Sequence, residues 1–114
     1  IHWLIVIIMK NKTKINTLCI IPARKGSTGL KNKNIKLLNG IPLIKYPYFI
    51  AKKLKFIDDI VLTSDSKKYL NIIKDKKIIK IIRPKNLSTS KSSIIDVIKY
   101  VLKIIKKKYD YILL

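Results

Sequence analysis

This 114-residue chain is poor in several residue types, and each scarcity excludes something. A single cysteine, Cys19, leaves no partner for an internal disulfide, which removes the secreted disulfide scaffolds and leads us to expect a reducing, cytoplasmic compartment. With one histidine, His2, beside that one cysteine, a zinc site of the usual Cys/His kind cannot be assembled. Three glycines and four prolines exclude collagen-like and linker-like chains. The apolar opening, residues 1–9 (IHWLIVIIM), falls short of the roughly 20 residues that cross a bilayer, so no membrane span is expected. No basic region precedes that run and no small-residue cleavage site follows it, as a signal peptide requires.

Acidic residues are scarce too: six against 26 Lys and Arg, a formal net charge of +20. Clustered cations of this kind neutralise phosphates and invite a nucleic-acid reading. Yet only Arg24 and Arg83 are arginine, and base-edge and bidentate phosphate recognition lean on arginine. The lysines fall in scattered groups (52, 53 and 55; 67 and 68; 74, 76 and 77; 106–108), several of them at expected helix ends, where cations suit the macrodipole. We therefore expect a solvated basic surface and no specific nucleic-acid partner.

Hydrophobic residues make up 48% of the chain and the mean hydropathy is +0.14, enough for a packed core. Met9-Lys10-Asn11-Lys12 reads as a natural start, so residues 1–16 are expected to be a leader or non-native extension and residues 17–114 the folded part. Leu18-Cys19-Ile20-Ile21 is a continuous apolar run, the mark of a strand buried on both faces, with Cys19 as inert core. Residues 23–34 read as a loop, and residues 35–38 as a short pairing segment before the Asn39-Gly40 turn. A helix is predicted from Pro42 through Lys55, a strand over 59–63, and a helix capped by Ser64 or Asp65 and running to about Lys74. A third strand follows over 78–82. A capping box at Ser93 opens a helix whose apolar stripe is Ile95, Ile98, Leu102 and Ile105, and a fourth strand spans 109–114. The tyrosines at 46, 48, 100, 109 and 111 do not recur on one face and are read as packing rather than as a base-stacking platform.

Strands alternating with amphipathic helices call for a parallel sheet with right-handed crossovers, incomplete at residue 114 because an apolar last strand wants neighbours on both sides. Ligands of such sheets bind beyond the carboxyl ends of the strands, which puts loops 22–34, 63–66 and 83–93 in view. The first of these is the most informative. Gly26 and Gly29 allow turns and close backbone approach to an anion. Arg24 offers a planar charged fork, Lys33 a mobile point charge, and Asn34 both a donor and an acceptor. The set suits a polyphosphate, although it is neither a Walker A sequence nor a GxGxxG.

The stretch IPARKGSTGLKNKNIKLLNGIPLI, residues 21–44, resembles the opening signature of the acylneuraminate cytidylyltransferases, Ile-Pro-Ala-Arg-x-x-Ser-Lys-Gly-(Leu/Ile)-x-x-Lys-Asn followed by Asn-Gly-x-Pro. Three later segments resemble that family in order: Ile60-Val61-Leu62-Thr63-Ser64-Asp65, Arg83-Pro84-Lys85-Asn86-Leu87, and Tyr109-Asp110-Tyr111-Ile112-Leu113-Leu114. The resemblance implies a Rossmann-like three-layer αβα fold of the nucleotide-diphospho-sugar transferase type. It implies transfer of CMP from CTP to a nonulosonic, sialic-type acid with release of pyrophosphate, Mg²⁺ assistance from ligands outside this chain, and a homodimer in the full-length form. By the same resemblance, Arg24 and Lys33 are the catalytic candidates, and Ala23, Arg24, Gly26, Ser27, Gly29, Lys33, Asn34, Arg83 and Ser93 the nucleotide-binding ones. The residues also read more plainly: Asp65 and Ser93 as helix caps, Ser27 as a turn former and Arg83 as a structural ion-pair member. Thr28 stands where the family carries Lys, and Ser90 where it carries Asp. Two alternatives remain open. One is a 3-deoxy-manno-octulosonate cytidylyltransferase, whose loop usually reads Ser-x-Arg-Leu-Pro-Gly-Lys-Pro; the other is a truncated, non-catalytic module that binds nucleotide or polyanion.

Overall fold

The computed structural model describes residues 15–26, 32–84 and 93–114. Sequence positions 27–31 and 85–92 lie outside them, as do residues 1–14, which contain nearly all of the expected leader. The expected strands form where the apolar runs are. In chain order the elements are β1 (Thr17–Pro22), a 3₁₀ turn (Lys33–Ile35), β2 (Leu37–Leu38), β3 (Ile41–Pro42), α1 (Lys45–Lys53), β4 (Asp59–Ser64), α2 (Lys67–Leu70), β5 (Ile79–Ile82), α3 (Ile94–Ile105) and β6 (Tyr111–Leu113).

The main sheet has strand order β5-β4-β1-β6 and is parallel throughout. Side chains alternate across it with the two-residue period of a strand. Cys19 and Ile21 of β1 join Ile60 and Leu62 of β4 under α1 and α2. Leu18 and Ile20 face the other way and join Val61, Ile81 and Ile112 under Val97, Ile98 and Val101 of α3. Helices thus cover both faces, which is the three-layer arrangement expected, and it explains why the central strands carry no polar alternation. The order reverses at β1, with β4 and β5 to one side and β6 to the other. Crossovers of one hand then place α3 on the face opposite α1 and α2. Among the described residues no helix is long and apolar enough to cross a membrane.

Several expectations are corrected locally. Pro42 does not open a helix; it ends the β2–β3 hairpin, whose two-residue turn is Asn39-Gly40 with both residues at positive φ. The helix begins at Lys45, and Pro47 falls in its first turn, where a missing N–H leaves no intrahelical bond unmade. Ser66, rather than Ser64 or Asp65, caps α2 by accepting the Tyr69 N–H, and α2 stops at Leu70 instead of reaching Lys74. Ser93 caps α3 as expected, its Oγ accepting the Asp96 N–H at 3.1 Å. The buried side of α3 is centred on Val97, Ile98 and Val101, with Leu102 and Ile105 at its margin, while Ile95 is 48% exposed. The sheet contacts the helix one step round from the predicted stripe, because a β-branched run gives several equally apolar faces. Cys19 is wholly buried and burial pushes its thiol up to about 11, which keeps it protonated and inert.

Carboxylates tie down the amino edge of the sheet. Asp58 accepts the Thr17 N–H at 2.7 Å and Asp110 accepts the Asn16 N–H at 2.9 Å, so the first amides of β1 are held from the strands on both sides. Asp59 receives the Tyr109 hydroxyl at 2.6 Å and pairs with Lys107 at 2.8 Å; burial pushes its carboxyl up, and these two donors more than offset that, leaving it below the ordinary range. Asp75 joins α1 to the segment before β5 through the Tyr48 hydroxyl, the Lys77 N–H and Lys52.

Leu62 is fully buried in the strand at the middle of the α1/α2-side core. Leu62→Ala is expected to lower stability by about 2–5 kcal/mol in urea unfolding. A second expectation concerns acid. The Tyr48 hydroxyl, the Lys77 N–H and Lys52 hold the Asp75 carboxyl down at about 2. A depressed carboxylate contributes stability that is fully present above its unfolded value, near ~4, and lost as pH falls through the folded one. Melting temperature followed from pH 5 to 2 should therefore fall less steeply in Asp75→Asn than in the wild type.

Candidate functional site

The site is built from the carboxyl ends of three neighbouring strands. β4 lies between β1 and β5, with Pro22 opposite Thr63 and Ser64 opposite Ile82. Pairing continues one residue past each outer strand: the Ala23 N–H donates to the Thr63 carbonyl at 2.9 Å, and the Arg83 N–H to the Ser64 carbonyl at 2.8 Å. Arg24 therefore leaves the sheet on one side of β4 and Arg83 on the other, while Asp65 leaves from β4 between them. With strands roughly 4.8 Å apart, the two arginine backbones stand about 10 Å apart. Arg83 is only 5% exposed. Burial draws its guanidinium below the ordinary value, Asp65 pulls it back up and Arg24 pushes it down again, so the three charges act on one another.

The turn after β1 is fixed by side chains. Asp65 Oδ1 accepts the Lys25 N–H at 2.8 Å. Asn34 Nδ2 donates to the Arg24 carbonyl at 3.2 Å. Asn34 sits in the 3₁₀ turn, whose backbone is held in turn by the Ile44 N–H donating to the Asn34 carbonyl at 2.8 Å. The Tyr46 hydroxyl donates to the Leu38 carbonyl, docking the hairpin on α1. The Tyr69 hydroxyl donates to Asn32 Oδ1 at 2.8 Å and lies 3.4 Å from the Lys25 carbonyl.

The sequence-derived candidates fall out as follows. Arg24, Lys33, Asn34, Gly26 and Arg83 all lie at this carboxyl edge, with Arg24 half-buried and Lys33 and Gly26 exposed. Ala23 has its methyl in the core and its N–H in the sheet ladder, which leaves its carbonyl as the polar group it offers. Gly26 is not at positive φ, and a Cβ there would meet nothing within 4 Å among the described residues. The turn itself does not need glycine at 26; what the glycine leaves is open space beside the backbone. Ser93 is exposed at the start of α3, where its hydroxyl is used as the cap, and no described contact joins it to Arg24 or Asn34. Ser27, Thr28, Gly29 and Ser90 lie outside the described residues.

Two contributors were missed by sequence reasoning. Asp65 is a loop anchor rather than a cap, and Tyr69 reaches the loop from inside the core. An acidic residue one position past a strand end signals the first. The second carries no local signal, because its partners are 37 and 44 residues away.

A family model described as cytidylyltransferase matches residues 18–109. The chain is 38% identical over 93 residues to the N-acylneuraminate cytidylyltransferase of Escherichia coli O18:K1:H7, which covers 82% of this chain and 22% of that one. It is 33% identical over 102 residues to the pseudaminic acid cytidylyltransferase of Campylobacter jejuni serotype O:2, covering 86% of this chain and 44% of that one. In fold it is similar to CMP:2-keto-3-deoxy-manno-octonic acid synthetase complexed with CTP, at a TM-score of 0.70 and 21% identity, over 85% of this chain and 38% of that one. The chain thus spans less than half the length of each of these proteins.

Gly26→Ala is expected to be neutral or to stabilise by up to about 1 kcal/mol in urea unfolding, since the φ suits alanine and the unfolded chain loses freedom. Destabilisation by more than about 0.5 kcal/mol would contradict the open space described.

Proposed function

The chain belongs to the cytidylyltransferase family, and on that premise we propose that it is the nucleotide-gripping part of an enzyme that transfers CMP from CTP to a nonulosonic, sialic-type acid and releases pyrophosphate. The observation that carries this reading is the turn after β1, tied by Asn34 and Asp65 so that Arg24 and Lys33 stand at the carboxyl edge of a parallel sheet. The named sugar acids of the two relatives support the acceptor class.

In the proposed reaction the anomeric hydroxyl of the sugar acid attacks the α-phosphorus of CTP, and the bond to pyrophosphate breaks. Little covalent chemistry is asked of the protein; positioning and neutralisation of developing charge carry the step. Arg24 presents a fork able to bind two phosphate oxygens at once, and Lys33 a mobile cation for the leaving pyrophosphate. The exposed backbone at Gly26 lets the triphosphate approach. Asn34 serves by holding the Arg24 carbonyl, which sets the direction in which Arg24 leaves the sheet. Arg83 and Ser93 are assigned to the cytosine end of the site, and the complete enzyme is proposed to be a homodimer.

A bound Mg²⁺ supplies further charge neutralisation in such transfers. Among the described residues no three His, Cys, Asp or Glu side chains converge to hold a metal ion, and Asp65, which borders the turn, already accepts the Lys25 N–H. No step is routed through such an ion.

CTP at ten times its Kd should stabilise the chain by about 1.4 kcal/mol, or roughly 5–10 °C in melting temperature for a domain of this size. ATP and duplex DNA at equal concentration should do much less, and Arg24→Ala should abolish the CTP shift. Equal shifts from any polyanion, falling steeply with salt, would replace this reading with the polyanion-binding one.

A further inference from the structure

We propose that Tyr69 is a positioning residue for the nucleotide: its hydroxyl donates to Asn32 Oδ1 beside the Lys25 carbonyl, and so sets the turn that presents Arg24 and Lys33. The role rests on the reading above. Nothing in the packing of α2 asks for a phenol. Tyr69 is 1% exposed and belongs to the same buried cluster as Ile21, Ile44, Leu62 and Ile73 on the α1/α2 side of the sheet. An apolar residue would fill that position, and a buried hydroxyl costs stability unless it finds a partner. The partner it finds is the loop.

The hydroxyl stands between the two ends of a short stretch. Lys25 is the last residue but one before positions 27–31, and Asn32 the first after them. The hydroxyl is 2.8 Å from Asn32 Oδ1 and 3.4 Å from the Lys25 carbonyl. Asp65, four residues before Tyr69, takes the Lys25 N–H, so both polar groups of the Lys25 backbone face the β4–α2 segment. Asn32 adopts the left-handed conformation, φ 56°, and its carbonyl accepts the Ile35 N–H at 3.2 Å, which starts the 3₁₀ turn bearing Lys33 and Asn34. Burial, and then the Asp65 charge, raise the Tyr69 hydroxyl above its ordinary value, so it remains a donor at neutral pH. Two cations that must converge on one triphosphate are thereby ordered before the ligand arrives, which reduces the ordering cost of binding.

Tyr69→Phe keeps the ring and removes only the hydroxyl. Asn32→Gly breaks the same bond from the exposed side and retains access to the left-handed conformation. In the full chain, both variants should melt within about 5 °C of the wild type. Both should show faster backbone amide exchange over residues 23–26 and 32–36, and weaken CTP binding about three- to tenfold by titration calorimetry. The double variant should be no worse than the more affected single one, because both changes remove one interaction. Unchanged exchange in both variants overturns the clasp, with or without nucleotide. Faster exchange with CTP affinity unchanged overturns the positioning role and leaves the proposed function standing. A wild-type chain that binds no CTP overturns the proposed function and the nucleotide role of Tyr69 together, while the exchange measurement still decides whether the clasp exists.

Discussion

The pairing of β4 with β1 on one side and β5 on the other is the constraint from which the carboxyl edge follows. Parallel strands bring the three chain exits to one edge, and the register brings them level: Pro22 with Thr63, and Ser64 with Ile82. Two arginines far apart in sequence then flank a single aspartate. A register slip of one residue would send Leu62 and Ile21 to the opposite face and carry Arg24 and Asp65 out of line, so the two-sided burial that stabilises the sheet also aligns the charges.

Charge placement follows a second logic. At +20 the chain repels itself, and the compact state suffers for it. Five of the six aspartates answer this by using their carboxylates inside the fold: Asp58 and Asp110 on the first amides of β1, Asp59 on Tyr109 and Lys107, Asp65 on Lys25, and Asp75 on Tyr48, Lys52 and Lys77. Four of these five act away from the carboxyl edge. At the carboxyl edge, which is proposed to meet a polyanion, Asp65 serves the backbone by accepting the Lys25 N–H. The acids that anchor the amino edge serve stability, apart from the carboxyl edge that is proposed to attract the ligand.

Much of this was legible in the residues. The strands announced themselves as continuous apolar runs, the Asn39-Gly40 turn as a dipeptide suited to positive φ, and the cap at Ser93 by its spacing to Asp96. The segment after β1 was legible as a loop, although the glycine at 26 is not what its turn requires. The errors lie where local signals compete. Ser64, Asp65 and Ser66 are all good caps, and only the backbone path past the sheet decides that Ser66 takes the role. Pro42 suits a first helical turn and a hairpin end equally well, and the hairpin prevails because Leu37 and Leu38 offer it partners.

Composition and periodicity alone determined the class of fold, the order of strands and helices, and the loop that carries the phosphate-binding residue types. These depend on side-chain pattern along a few consecutive residues, which the chain carries wherever it folds. The strand order, the face that α3 presents, the placing of Arg24 and Arg83 on either side of Asp65, and the reach of Tyr69 to Asn32 were decided only by the tertiary structure. Each relates segments distant in sequence, and such relations arise from packing and register rather than from any local preference.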